Sequence, residues 1–470
     1  MTKILLRAGK SPFTSLEPEV ALEGFGQGVW GSNVGNLIFG DSVHRLLSTP
    51  DVDITTNAFL TERAGVTQEY IAAINEQFDH FVIPLANAFR KSFLPLLSRL
   101  TDVIEQLTIP VTVVGVGVVG GPKSLEDPVP TMEPEDAAVV QRFVRAVLAR
   151  SATIGVRGEY TAQFLKNLGF GDDVVRVVGC PSLFKFGPDL QITKKVDALT
   201  TDSAVTLNLT PYVKEMGAIS LANVKKYRDL VYIPQITADL EMMMWGKNHE
   251  KYSRKELPVH VQHPLYVQDR MRFFVDSHTW SNYLGTRDFA FGTRIHGNIA
   301  ALMAGTPAYV LAHDARTLEL ALHHGIPHTQ VPDLAGRKDA AEFYDNADYS
   351  EFNSRQAGLF AAFSDFLVEN NLEHIYLDGK ANPEYDQRIA QTQYAGPVRA
   401  LTSTDPSVQR ENYDRIERLR SGTFLKDAKK TAKETMEFPM VPSKKERVAE
   451  VVKAPVIERA ARKLKRMTGM

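Results

Sequence analysis

Apolar runs of strand length alternate with stretches in which apolar residues recur every three or four positions, and the alternation continues along most of the chain. The clearest strand is VTVVGVGVVGG at 111–121, a continuous β-branched run of the kind found in the middle of a parallel sheet, buried on both faces. Ahead of it the pattern predicts an N-terminal strand, a glycine-rich loop opening into a helix over 24–47, a helix over 69–80, a strand and turn over 79–89, and a helix over 91–107. After it come a helix over 134–149, a strand–loop–helix unit in ATIGVRGEYTAQFLKNLGF and a short strand over 174–184. Residues 185–200 are polar and aperiodic, and then the pattern restarts. Strands are expected at 204–213, 229–236 and 307–313, helices at 239–246, near 266–272 and at 315–325, and another strand–loop–helix unit at 287–305. A long amphipathic helix near 350–371 closes the folded part. Such β–α alternation predicts an α/β protein of two tandem Rossmann-like domains, 1–195 and 196–395, with a cleft between them and a basic, partly helical or disordered tail, 396–470. Ligands of open α/β sheets bind outside the carboxyl ends of the strands, so the chemistry belongs in the loops at those ends.

Cysteine and charge narrow this picture. The single cysteine, Cys180, permits no internal disulfide framework and no cysteine-rich metal site; it fits a reducing compartment and reads as a buried structural thiol before Pro181. The apolar run near the N-terminus is too short for a signal peptide, and nothing approaches the ~20 apolar residues of a membrane span, so a cytoplasmic protein is expected. The net charge of −2 conceals an asymmetry: residues 396–470 carry 18 Lys/Arg against 10 Asp/Glu, leaving the body acidic. A basic tail on an acidic body suits an anionic partner and argues against a nucleic-acid-binding core.

The richest stretch for chemistry is FGTRIHGNIAALMAGTPAYVLAHDARTLELALHHGIP at 291–327. Arg294 and His296, two residues apart at a strand–helix junction, share a face in an extended segment. The helix opening near Gly297 offers free N–H groups to an anion, Arg294 a bidentate fork, and His296 a proton near neutral pH. Other motifs read more plainly. Gly24-x-Gly26-x-Gly28 and Gly115-x-Gly117 lack the context of a nucleotide loop and read as tight turns, with Gly115 and Gly117 near substrate. His323 and His324 point about 100° apart on a helix and read as a cationic complement to its C-terminus, not as a metal pair. His260 and His263 lie where they could face the cleft.

Residues 291–327 resemble the polysaccharide pyruvyl transferases. The resemblance rests on Thr293-Arg294-Ile295-His296, the alanine-rich Ala300–Ala304, Gly305-Thr306-Pro307 and His313-Asp314-Ala315-Arg316. SATIGVRGEYTAQFLKNLGF, with Arg157 and Glu159, VVGCPSLF, and SNVGNLIFGDSVHRLL match the family's other blocks in order, so that the likeness spans about residues 20–330. Departures are Asn36 where the family often has Asp, Arg316 where Lys is common, and PLANAF where many members have a glycine-rich turn. The resemblance implies transfer of a pyruvyl group from phosphoenolpyruvate to a sugar of a cell-surface polysaccharide or its lipid-linked precursor, forming a ketal and releasing phosphate. It implies no cofactor beyond that donor and no metal, with His296 and Arg294 catalytic and Arg157, Arg316, Asn33, Gly35, Asn36, Gly117 and Gly297 binding substrate.

Two other readings compete. A sugar-nucleotide glycosyltransferase of the same GT-B-like architecture could use Glu319 to bind a ribose, but leaves the Arg-x-His pair unexplained. A catalytically silent scaffold leaves Arg157, Arg294 and His296 without a purpose. In the tail, Lys444–Met470 has valines and other apolar residues at helical spacing on either side of Pro455, with Lys and Arg on much of the other face; that pattern suggests peripheral contact with an anionic membrane, the alternatives being a solvated, partly disordered tail or one docked on the acidic body.

Overall fold

In the computed structural model, which describes residues 1–24, 28–31, 33–119, 131–422 and 424–440, the two repeats of the sequence pattern become two parallel sheets. The first contains β1 (Thr2–Leu6), β2 (Val52–Thr56), β3 (His80–Pro84) and β4 (Val111–Val114) in the order β2-β1-β3-β4. Strands β5 (Ile154–Val156) and β6 (Val175–Val177) continue it beyond β4 through the Val116–Val156 bridge. The second contains β7 (Val205–Asn208), β8 (Leu230–Tyr232), β9 (Phe289–Gly292), β10 (Ala308–Ala312) and β11 (His328–Gln330) in the order β11-β10-β9-β7-β8. Counted along the chain, both sheets place their second strand outside the first and step back across it to the third. Each therefore has a switch point, between β1 and β3 and between β7 and β9, where flanking helices diverge and a crevice opens.

The elements form for local reasons. Every side chain of β3, β4 and β10 is buried, as apolar runs between helical layers require. The Leu94–Ile104 helix buries Leu94, Leu97, Leu100, Thr101 and Ile104 at three- and four-residue spacing. Asp314 accepts from Thr317 N at 2.8 Å to start the Ala315–His324 helix, and Gly325, at φ +66°, ends it in the left-handed conformation. The helix expected near 266–272 is confined to Pro264–Val267: Asp269 adopts φ +52° and Arg270 N turns back to Leu265 O at 2.8 Å, which stops the helix.

Two parts of the chain pack differently from the expected division. The Ser350–Glu369 helix returns to the first sheet, where Phe360, Phe363, Phe366 and Leu367 join Ile4, Leu6, Val82 and Val114 in one core. The described part of the tail, through residue 440, is partly helical and packs on the body. The Pro406–Arg420 and Phe424–Glu434 helices dock on the Pro18–Glu23 helix, and Phe438 sits against the rings of Tyr70 and Phe78 at 4.8 and 5.1 Å. Glu437 accepts from Thr56 N and Oγ1 at 2.7 and 2.8 Å. The docking centres on a buried ion pair, Arg415 Nε to Glu19 Oε1 at 2.7 Å, with the residues 1% and 2% exposed. The basic segment proposed for a membrane surface, Lys444–Met470, lies outside the described residues. Among the described residues no helix is long and apolar enough to cross a membrane.

Removing one partner of a buried ion pair strands the other charge, at a cost of about 3–5 kcal/mol. Arg415→Ala should therefore lower the free energy of unfolding by about 3 kcal/mol or more in denaturant titrations, while Arg410→Ala on the exposed side of the same helix stays within about 0.5 kcal/mol.

Candidate active site

The strand ends of both sheets converge on one cavity of about 210 Å³. After β1 come Gly31, Asn33 and Asn36; after β3, Ala86, Asn87 and Arg90; after β5, Arg157. From the second domain β8 contributes Gln235 and Ile236, β9 contributes Arg294, Ile295 and His296, and β10 contributes Arg316. Four arginines thus face one space, and no carboxylate stands on its wall among the described residues.

Backbone and amide contacts aim these groups. Arg294 N donates to Asn208 Oδ1 at 2.7 Å and its Nε to Leu209 O at 3.1 Å, so the guanidinium is oriented from behind. Asn208 is itself fixed, donating to Asn298 Oδ1 at 2.8 Å, while Asn298 donates to Gly292 O at 2.9 Å. Asn33 Oδ1 accepts from Gly35 N at 2.8 Å and Asn36 Nδ2 donates to Trp30 O at 2.8 Å. Val34 N donates to Gln235 O at 3.0 Å, tying this loop of the first domain to the second. With its amide oxygen turned towards them, Asn87 accepts from Arg90 Nη1 at 3.1 Å and from Arg316 Nη1 at 2.8 Å.

The glycines expected to bind substrate act one step back. Gly35, Gly117 and Gly297 are not on the cavity wall. A Cβ on Gly117 would lie 2.2 Å from Arg157 Nε, and one on Gly35 would lie 2.7 Å from His296 Nδ1. One on Gly297 would meet Gln235 Nε2 at 2.6 Å. These residues are small so that the polar groups in front of them fit. Arg90, Asn87 and Gln235 are additional to the groups read from sequence. Their signal was positional: Arg90 and Asn87 come after the β3 strand and Gln235 after β8, where ligand-facing loops belong.

The electrostatics of the cavity are strongly positive. Arg90 Nε, Arg157 Nε, Arg316 Nε, Gln235 Nε2 and His296 Nε2 are buried with no hydrogen-bond partner among the described residues. Each such group costs about 1–3 kcal/mol, so these four N–H donors and the imidazole nitrogen suit a ligand that supplies hydrogen-bond partners. Arg157, 2% exposed, is lowered to about 10, by burial first, against the pull of the Glu319 carboxylate. Asp314 pairs with Arg316 Nη2 at 3.0 Å; that pairing, with His313 and the Thr317 hydrogen bonds, outweighs its burial and holds its carboxyl down at about 2. His296 is lowered to about 3 by burial and then by Arg157, Arg316 and Arg294. The protein groups by themselves therefore favour a neutral imidazole, because burial disfavours the added charge and three guanidinium groups repel it.

Other candidates lie elsewhere. Glu319 Oε1 accepts from Thr161 N at 2.6 Å and Oε2 from Thr161 Oγ1 at 3.1 Å, so it caps the Glu159–Asn167 helix of the opposite domain and is not on the wall of the arginine cavity. His324 is buried, with its pKa lowered by burial, and its Nε2 accepts from Cys180 N at 2.9 Å; burial lowers His323 to about 4. Neither is the cationic helix end expected. His260 and His263 are bound to the backbone carbonyls of Lys255 and Glu256 at 2.9 and 3.3 Å and do not reach the cavity. Cys180 is free and buried.

Two parallel-sheet domains with an arginine-lined cleft between their strand ends define a GT-B-like α/β protein with an electropositive site. The chain belongs to the polysaccharide pyruvyl transferase family, whose model matches residues 61–315 and so takes in Arg90, Arg157, Arg294 and His296. No curated protein matches it. Among solved structures it is similar to MnaA of S. aureus with UDP (14% identity, TM-score 0.34, 84% of this chain and 99% of that one). It is also similar to Alr3699/HepE of Anabaena with UDP and glucose (12%, 0.37, 83% and 99%) and to a putative UDP-N-acetylglucosamine 2-epimerase of Listeria monocytogenes (13%, 0.39, 79% and 98%).

Because Gly117 leaves the space that Arg157 fills, Gly117→Ala should displace the guanidinium while the fold persists. The expected result is at least a roughly tenfold weaker affinity for inorganic phosphate by calorimetry, with an unchanged circular dichroism spectrum. Unchanged phosphate affinity would remove Arg157 from anion binding.

Proposed function

We propose that this chain transfers the enolpyruvyl carbon skeleton of phosphoenolpyruvate onto two hydroxyls of a sugar in a cell-surface polysaccharide or its lipid-linked precursor, forming a pyruvate ketal. The observation that carries this reading is the convergence of Arg90, Arg157, Arg294 and Arg316 with His296 on a cavity that no carboxylate lines among the described residues. Phosphoenolpyruvate bears about three negative charges at neutral pH, on a carboxylate and a phosphate, and needs several cations at once. The cavity volume of about 210 Å³ suits such a compact anion better than a nucleotide sugar, since drug-sized ligands occupy about 300–1,000 Å³. The glycosyltransferase reading also loses its ribose ligand, because both oxygens of Glu319 are engaged by Thr161.

The chemistry rests on the charges. Protonation of the methylene carbon makes C2 an oxocarbenium-like electrophile, and the arginines stabilise the carboxylate and phosphate beside it. One sugar hydroxyl adds to C2. The C2–O bond to phosphate then breaks, a second hydroxyl closes the ring, and the hydroxyl protons balance the new methyl group and the released phosphate. His296, which takes up a proton as the donor binds, delivers it as imidazolium to the methylene carbon and, neutral again, accepts a proton from an attacking hydroxyl. The scheme as written needs no metal.

Arg294→Ala should weaken donor binding or turnover by at least about tenfold, because a hydrogen bond to a charged group contributes about 1.5–3 kcal/mol; full activity in both Arg294→Ala and Arg157→Ala would refute this pocket. His296→Ala should lower turnover by about 10² or more, with donor affinity nearly intact at a pH above the liganded pKa of His296. The field in the cavity gives a further, pH-dependent outcome. A bound trianion cancels the guanidinium charges that help to hold His296 at about 3, so its pKa rises on binding and the complex takes up protons from solvent. Donor affinity should accordingly fall as pH rises through the liganded pKa. Calorimetry in buffers of different ionisation enthalpy should show proton uptake in the wild type and much less in His296→Phe.

A further inference from the structure

A second cavity, of about 230 Å³, shares no lining residue with the first. Its walls come from both domains: Asp41 and Arg45 on the Gly35–Leu47 helix, the Ser277–Gly285 helix with its cap, the crossing segment at Lys185 and Phe186, and the Pro383–Gln391 helix. Asn36 of the arginine cavity and Asp41 share one helix but lie about 8 Å apart along it and about 140° around it, on different flanks.

Three observations describe what would fit. First, two hydroxyls on its wall lack partners among the described residues: Tyr385 Oη, on a residue only 5% exposed, and Ser281 Oγ. Second, the charges are already committed. Arg45 grips Asp386 through Nε and Nη2 at 3.0 and 2.7 Å, Asp276 accepts from Thr279 N and Oγ1, and Asp41 accepts from Ser277 Oγ with Lys185 nearby. Little net charge is left for an ionic ligand. Third, the rings of Tyr385, Tyr394 and half-exposed Phe186 line the same space, and Asn282 adds an amide. A ligand here needs an apolar face for the rings and several hydroxyls for the free donors and acceptors.

We infer that this cavity is a second binding site, taking an uncharged pyranose ring. The pyruvyl-transfer reading does not assign it, and the site stands without that reading. Sugar bound there would touch both domains at once, away from the arginine cavity.

The test is saturation-transfer NMR on the full-length protein without donor. The probes are the methyl glycosides of glucose, galactose, mannose and N-acetylglucosamine. At least one should give a signal. Tyr385→Phe, which removes only the unpartnered hydroxyl, should weaken its affinity at least threefold with an unchanged melting temperature. Ser281→Trp, which fills the space, should abolish the signal while inorganic phosphate still binds the arginine cavity. If no glycoside binds, if binding survives both variants, or if it is lost in Arg294→Ala and not in Ser281→Trp, the inference is wrong.

Discussion

Arg90, Arg157, Arg294 and Arg316 are gathered where water is scarce, and Arg316 repels each of the other three. Removing a cation from water costs several kcal/mol, and only opposite charge or good hydrogen bonds offset it. The compensations are partial and set behind the cavity wall: Asp314 on Arg316, Glu319 within the field of Arg157, and the Asn87 amide between Arg90 and Arg316. The front of the cavity is left positive. The loops that carry these groups are held by a dense set of backbone and amide hydrogen bonds, as a strained cluster of like charges requires.

The same constraint accounts for how the domains meet. Each contributes cations, so the cavity exists only while both are in register. Asn33 bridges to Ile236, Glu319 caps a helix across the interface through Thr161, and His324 receives Cys180 N. The Ser350–Glu369 helix crosses back into the core of the first domain and so fastens the second domain to it. Such contacts limit the domain freedom that a pair of small α/β bodies would otherwise have. Glu319 illustrates the cost: burial pushes its carboxyl up to about 7 despite the Thr161 hydrogen bonds and Arg157.

Much of this was legible in the residues. β-branched runs such as Val111–Val114, buried on both faces, have few alternatives to a central parallel strand. Glycine-ended helices and the strand–loop–helix rhythm announced two doubly wound units, and Arg294, His296, Arg157, Arg316, Asn33 and Asn36 do share one cavity. These features depend on periodicity and on the loop at the carboxyl end of each strand, both written locally in the chain.

Tertiary structure decided the rest, for reasons that local pattern cannot carry. Arg90 and Gln235 look like ordinary loop residues until two separate sheets bring their strand ends together. The basic stretch after residue 396 has the composition of a solvated tail, yet Glu19, almost 400 residues earlier in the chain, supplies the buried counter-charge that docks it. Whether His296 is charged was likewise beyond the sequence. An imidazole's pKa reflects the sum of nearby charges and its own exposure, and three guanidinium groups from distant segments set that sum only in the folded chain.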